Sequence, residues 1–143
     1  MSKDLLITSR AVMLAFCGAL LLSACSTSIV RDTGLDKLAP RKAEQDLSAG
    51  IRAYEDGNYK SALRHLQSAL DEGLILKSDK VVAHKYLAFV HCAHGRDMQC
   101  REEFRRALAL DPKFELDPTE AGHPAWGPTF RSVKAEMARK SPK

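Results

Sequence analysis

Residues 53–70, AYEDGNYKSALRHLQSAL, decide the fold. Gly57-Asn58 interrupts two runs in which apolar residues recur three and four apart, at Leu47, Ile51 and Tyr54 before it and at Leu63, Leu66 and Leu70 after it. That is the period of a helix with one buried face, not the alternation of a strand. The same arrangement returns 38 residues later: Gly57 matches Gly95, Ala62 matches Cys100, Leu66 matches Phe104, and Ala69 matches Ala107. Ala49-Gly50 and Leu87-Ala88 match at the same offset. The chain therefore carries two copies of one helix-turn-helix unit. Small residues at Gly50, Ala62, Ala69, Ala88 and Ala107 let paired helices approach closely, while Leu66 and Phe104 fill the space between units.

Working outward, the apolar spacing predicts helices near 42–56, 59–72, 78–94 and 98–110, with Gly95-Arg96 as the second turn and Asp111-Pro112 ending the fourth helix. Two units leave an end face uncovered, so a cap is required. Pro128 is placed to open a fifth helix reaching about Arg139, whose stripe of Phe130, Val133 and Met137 packs on the second unit. The expected fold class is all-α, a short α-solenoid. The helical domain is 42–143, with repeat 1 at about 42–76, repeat 2 at about 78–112, a proline-rich loop at 113–127 and the capping helix at about 128–139.

The repeat resembles the tetratricopeptide family. Val81 to about Phe114 fits one complete unit, with Leu87-Ala88, Gly95, Phe104, Ala107 and Pro112 at the family's signature positions. His84, His91 and Cys100 stand where the family usually has Trp, Tyr and Ala, and the first copy carries about four extra residues near Leu74 to Lys77. The resemblance implies a concave groove for a protein partner, lined by Leu47, Ile51, Tyr54, Lys85, Phe89 and Cys92. It also implies that Phe89 is exposed there, so that Phe89→Glu leaves the domain folded. A surface this apolar is filled either by a partner or by the chain's own tail.

The beginning of the chain reads as an address. Lys3 and Arg10 flank an uncharged apolar run, Ala11 to Leu22, which is shorter than the roughly 20 residues a membrane-spanning helix needs. The run closes on Leu22-Ser23-Ala24-Cys25, which resembles the lipobox of bacterial lipoproteins. By that resemblance residues 1–24 are a cleaved signal peptide, Cys25 is acylated, and the protein sits in the bacterial cell envelope on a lipid anchor. Ser26, where an Asp would retain the protein at the inner membrane, implies the outer membrane facing the periplasm. Residues 25–41 then form the lipidated Cys and a flexible tether. Sixteen residues, Ser26 to Arg41, reach at most about 55 Å when fully extended.

Composition narrows the chemistry. The chain has 143 residues, is 45% hydrophobic, 28% charged and 6% aromatic, and carries a net charge of +4. Those values exclude a disordered tail, a collagen-like fibre and a multi-span membrane protein. Basic and acidic residues are interspersed, with no block longer than Arg41-Lys42 or Arg105-Arg106, which argues against a nucleic-acid partner. No phosphate-binding glycine loop, nucleophile elbow or metalloprotease helix motif is present, so an enzyme is not expected and no cofactor is implied. Glu55-Asp56 and Glu102-Glu103 read as solvated surface. His91, Cys92, His94 and Cys100 are the one cluster with metal-ligand chemistry, but consecutive residues point about 100° apart on a helix and a shared tetrahedral site is awkward. No metal is expected.

Cys92 and Cys100 flank the Gly95 turn on neighbouring antiparallel helices. They are either disulfide-bonded, as an oxidising periplasm permits, or two small buried residues at a helix crossing. The tail after the second repeat, FELDPTEAGHPAWGPTFRSV at 114–133, is the most individual segment. Its prolines and glycines impose a defined path. His123, Trp126, Phe130 and Arg131 belong either to the cap or to an exposed partner-binding hook. Lipobox, two repeats and this tail together resemble the repeat lipoproteins of type VI secretion systems, the TssQ type. That implies an accessory adaptor whose partners are secretion-apparatus proteins. Another envelope machine, for pili or outer-membrane-protein assembly, is the alternative, and a peptidoglycan- or metal-binding periplasmic protein a more distant one.

Overall fold

A computed structural model of the chain describes residues 41–140. The expected signal peptide, Cys25 and the tether as far as residue 40 lie outside the described residues. The described part is helical throughout: α1 (Lys42–Glu55), α2 (Tyr59–Glu72), α3 (Lys77–Ala93), α4 (Asp97–Leu110), the single turn α5 (Pro118–Ala121) and α6 (Gly127–Lys140). No strand occurs among the described residues.

Gly57 and Gly95 set the two hairpins. Both have positive φ, +74° and +65°, and an added Cβ would meet nothing within 4 Å at either site. Backbone conformation, not space, is what selects glycine there. α1 packs antiparallel on α2, and α3 on α4, with α2 and α4 lying 38 residues apart at both ends. The expected close approach is present at Gly50, where a Cβ would fall 2.7 Å from Leu66 Cγ. α3 lies against both helices of the first hairpin, and α6 lies on α4.

Two apolar clusters run through the stack. The first joins the hairpins through Leu47, Leu66, Leu74, Leu87 and Val90. The second joins the second hairpin to the tail through Phe89, Phe104, Leu108, Leu116, Trp126 and Phe130. Phe130 and Val133 of α6 are buried and Met137 packs against this cluster at its edge. The helix that the sequence places at Pro128 thus begins one residue earlier and covers the end face of α4.

The surface reading of Glu102-Glu103 is corrected for one of its members. Glu103 is 7% exposed, because it bridges the hairpin: its carboxylate lies 2.6 Å from His84 Nδ1 and accepts from Arg106 Nη1 at 3.2 Å. A buried carboxylate needs such partners. The first hairpin holds the mirrored arrangement at the equivalent positions, with Asp46 on α1 and His65 on α2, 2.9 Å apart, and Ser68 donating to the same carboxylate at 2.7 Å.

Candidate functional site

The helices α1 and α3 meet in a row of aromatic rings that continues into the tail. Tyr54 of α1 contacts Tyr59 at 5.8 Å and Tyr86 of α3 at 5.0 Å between ring centroids. Tyr86 leads to Phe89 at 5.8 Å, Phe89 stacks on Trp126 at 4.4 Å, and His123 lies parallel on the other side of Trp126 at 3.4 Å. Offset and edge contacts of this kind add to the burial of each ring. Tyr54 is half-buried, and burial, with Tyr59 and Tyr86 beside it, pushes its hydroxyl up to about 12. Burial likewise raises Tyr86.

The tail reaches this row by a path its own residues prescribe. Asp117-Pro118-Thr119-Glu120 opens α5, with the Glu120 carboxylate accepting from the Asp117 N–H at 3.1 Å. Acid-Pro-x-Glu is a legible helix start, so the stretch 113–127 expected as loop contains one helical turn. Glu120 then does two further things. Its carboxylate pairs with Lys85 Nζ at 2.6 Å, and its carbonyl accepts from Trp126 Nε1 at 2.9 Å. Lys85 itself lies over the Tyr86 ring, 4.8 Å from the centroid. Arg131 is exposed and donates to the Ala121 carbonyl at 3.0 Å, tying α6 back to α5.

The six residues expected to line a groove therefore divide. Leu47 is in the seam between hairpins, and Ile51 and Tyr54 are half-buried at its edge. Lys85 is engaged by Glu120. Phe89 is 1% exposed, which corrects the expectation that it is open to solvent: Trp126 covers it. Cys92 is buried and bonded to Cys100, with a Cα–Cα separation of 5.1 Å. Trp126, 7% exposed, is built into the domain rather than projecting from it. On α3 it is the chain's own tail, not an open groove, that lies on these residues. Of the aromatic row, Tyr54, Tyr59 and Tyr86 remain partly open. Tyr86 joins this surface as a half-buried ring packed against the edges of both apolar clusters.

The His and Cys cluster is dispersed by the same packing. With Cys92 and Cys100 bonded, His94 Nδ1 donates to the Val90 carbonyl at 2.8 Å. His91 is half-buried with no hydrogen bond to its Nδ1, and burial, reinforced by Arg96, holds its imidazole below the usual range. Among the described residues no three His, Cys, Asp or Glu side chains gather as a metal-binding group. Nor is any helix among them long and apolar enough to cross a membrane.

Comparison of the chain with protein-family models, curated proteins and solved structures finds no significant match.

Proposed function

We propose that this protein is a lipid-anchored adaptor of the bacterial cell envelope, with a tetratricopeptide-like domain that holds a protein partner. The observation that carries the reading is the half-open shelf of Tyr54, Tyr59 and Tyr86 between hairpins. Aromatic side chains supply large contact area at little entropic cost and are enriched where proteins bind one another. The tail's own Trp126 and Glu120, seated on Phe89 and Lys85, illustrate what this face accepts: a ring stacked on its aromatics and a carboxylate on Lys85. The lipobox Leu22-Ser23-Ala24-Cys25 supports the anchor. No catalytic constellation or cofactor is invoked.

Within that class the assignment is an accessory component of a type VI secretion system, on the strength of the lipobox, the paired repeats and the 114–133 tail. The test is affinity purification of the tagged, acylated protein from detergent-solubilised envelopes, with partners identified by mass spectrometry. Secretion-apparatus proteins that disappear from the Tyr54→Ala/Tyr86→Ala double variant, while its circular dichroism is unchanged, establish the assignment. Recovery of pilus or outer-membrane assembly proteins instead keeps the adaptor and discards the secretion role. Partners unaffected by the double variant place the interface elsewhere.

A further inference from the structure

Three aliphatic residues follow one another in the turn between α2 and α3, and they go to opposite places. Leu74 is 2% exposed in the seam between hairpins, whereas Ile75 and Leu76 are 66% and 58% exposed. Gly73 reverses the chain at φ +86°, and the buried Leu74 then fixes the turn, so the next two side chains are held outward. Single exposed apolar residues are ordinary, but an adjacent pair on an anchored turn is a surface feature. Among the described residues the other large exposed hydrophobic is Met98, in the first turn of α4. The antiparallel hairpin places it at the far end of α3, a helix of 17 residues and so about 25 Å long.

The turn also lies where the N-terminal part of the chain enters the domain. Arg41 Nη2 donates to the Gly73 carbonyl at 3.1 Å, and Lys42 pairs with Glu72. Residue 41, where the described chain begins, therefore lies beside the turn that carries Ile75 and Leu76. If Cys25 is acylated, tethering makes any contact of this end with the bilayer effectively intramolecular. Arg41 is paired with Glu44 at 2.9 Å and Lys42 with Glu72, while Lys77, directly after Leu76, is exposed. Apolar contact of Ile75 and Leu76 is the contribution a neutral bilayer reads, separate from any attraction of Lys77 to anionic headgroups.

We propose that Ile75 and Leu76 seat in the interfacial layer of the same bilayer that holds the Cys25 acyl chains. The domain then stands on its α2–α3 turn. Tyr54, Tyr59, Phe89 and Trp126, which lie toward the opposite ends of their helices or beside those ends, face away from the lipid. The inference rests on the anchor reading and adds an orientation to it.

The test uses the full acylated chain in neutral phosphatidylcholine vesicles, with an environment-sensitive fluorophore on Leu76→Cys or, as the opposite-end control, on Met98→Cys. The expected result is a blue shift and quenching by a lipid-borne nitroxide at position 76, both absent at 98 and both unchanged by added salt. Emission at 76 as aqueous and unquenched as at 98, in protein that floats with the vesicles, overturns the orientation and leaves the anchor standing. Protein that fails to float overturns the anchor, and the orientation with it. A blue shift at 76 that persists in the Cys25→Ala protein without vesicles also overturns the proposal. It means that the pair is covered by the chain itself or, if dilution reverses it, by a second copy.

Discussion

At the scale of single residues, Phe89 shows how far the tail changes the meaning of a helix face. It lies under Trp126 and against Phe104, 1% exposed, in a cluster shared by α3, α4 and the tail. Truncating such a ring costs about 3–5 kcal/mol, and a carboxylate in its place costs more because it is desolvated without a partner. Phe89→Ala is expected to lower the unfolding free energy by that amount, read from urea titration, and Phe89→Glu to abolish cooperative unfolding by circular dichroism. A folded Phe89→Glu protein would mean that the tail does not cover this face in solution. Asp46 makes a pH-dependent contribution. Hydrogen bonds from His65 and Ser68 hold its carboxyl below its ordinary value. A depressed carboxylate stabilises the fold above about pH 4 and loses that contribution as pH falls through the lowered value. Asp46→Asn should therefore destabilise the protein at pH 6 and leave it closer to wild type at pH 3, read as urea midpoints at the two pH values. An equal deficit at both would assign Asp46 a packing role only.

Between elements, the strongest single tie is covalent. The Cys92–Cys100 bond closes the α3–α4 hairpin across a separation of eight residues. Restricting the unfolded chain over so short a loop contributes about 2.5 kcal/mol on the loop-entropy account. Reduction should lower the thermal midpoint reversibly, and Cys92→Ala/Cys100→Ala should reproduce the reduced value without a further response to reductant. An unchanged midpoint on reduction would show that hairpin packing alone sets the stability. The first hairpin has no such bond. Gly50 takes its place in a sense, because the absence of a side chain there lets Leu66 close on the backbone of α1. The mirrored pairs Asp46–His65 and His84–Glu103 add a polar clasp to each hairpin. Spacing within one helix gives no sign of them, since each partner lies on the other helix.

For the molecule as a whole, the tail decides whether two repeats suffice. α6 covers the outer end of α4 while residues 114–126 cover α3, so Phe104, Leu108 and Phe89 become internal. Neighbouring units in such stacks supply each other's burial, and an uncapped end leaves a core face in water. A chain ending at Pro112 is expected to lose its cooperative thermal transition by circular dichroism; a sharp transition would show that the paired hairpins are self-sufficient. The five longer helices and most of their boundaries follow from the sequence by itself, because apolar residues three and four apart define one buried face and glycine turns separate the paired runs; the single turn α5 is too short to show that period. The 38-residue offset likewise reveals the second hairpin, since identical spacing makes identical local structure. Which faces remain open was settled only in three dimensions. Phe89 and Lys85 of α3 are separated along the chain from Trp126 by a turn, a helix and a proline-rich stretch, and nothing in the period of α3 states that residues 120–126 return to lie on it. Local spacing reports what a residue's own helix needs, whereas burial at the end of a stack depends on where a distant segment comes to rest.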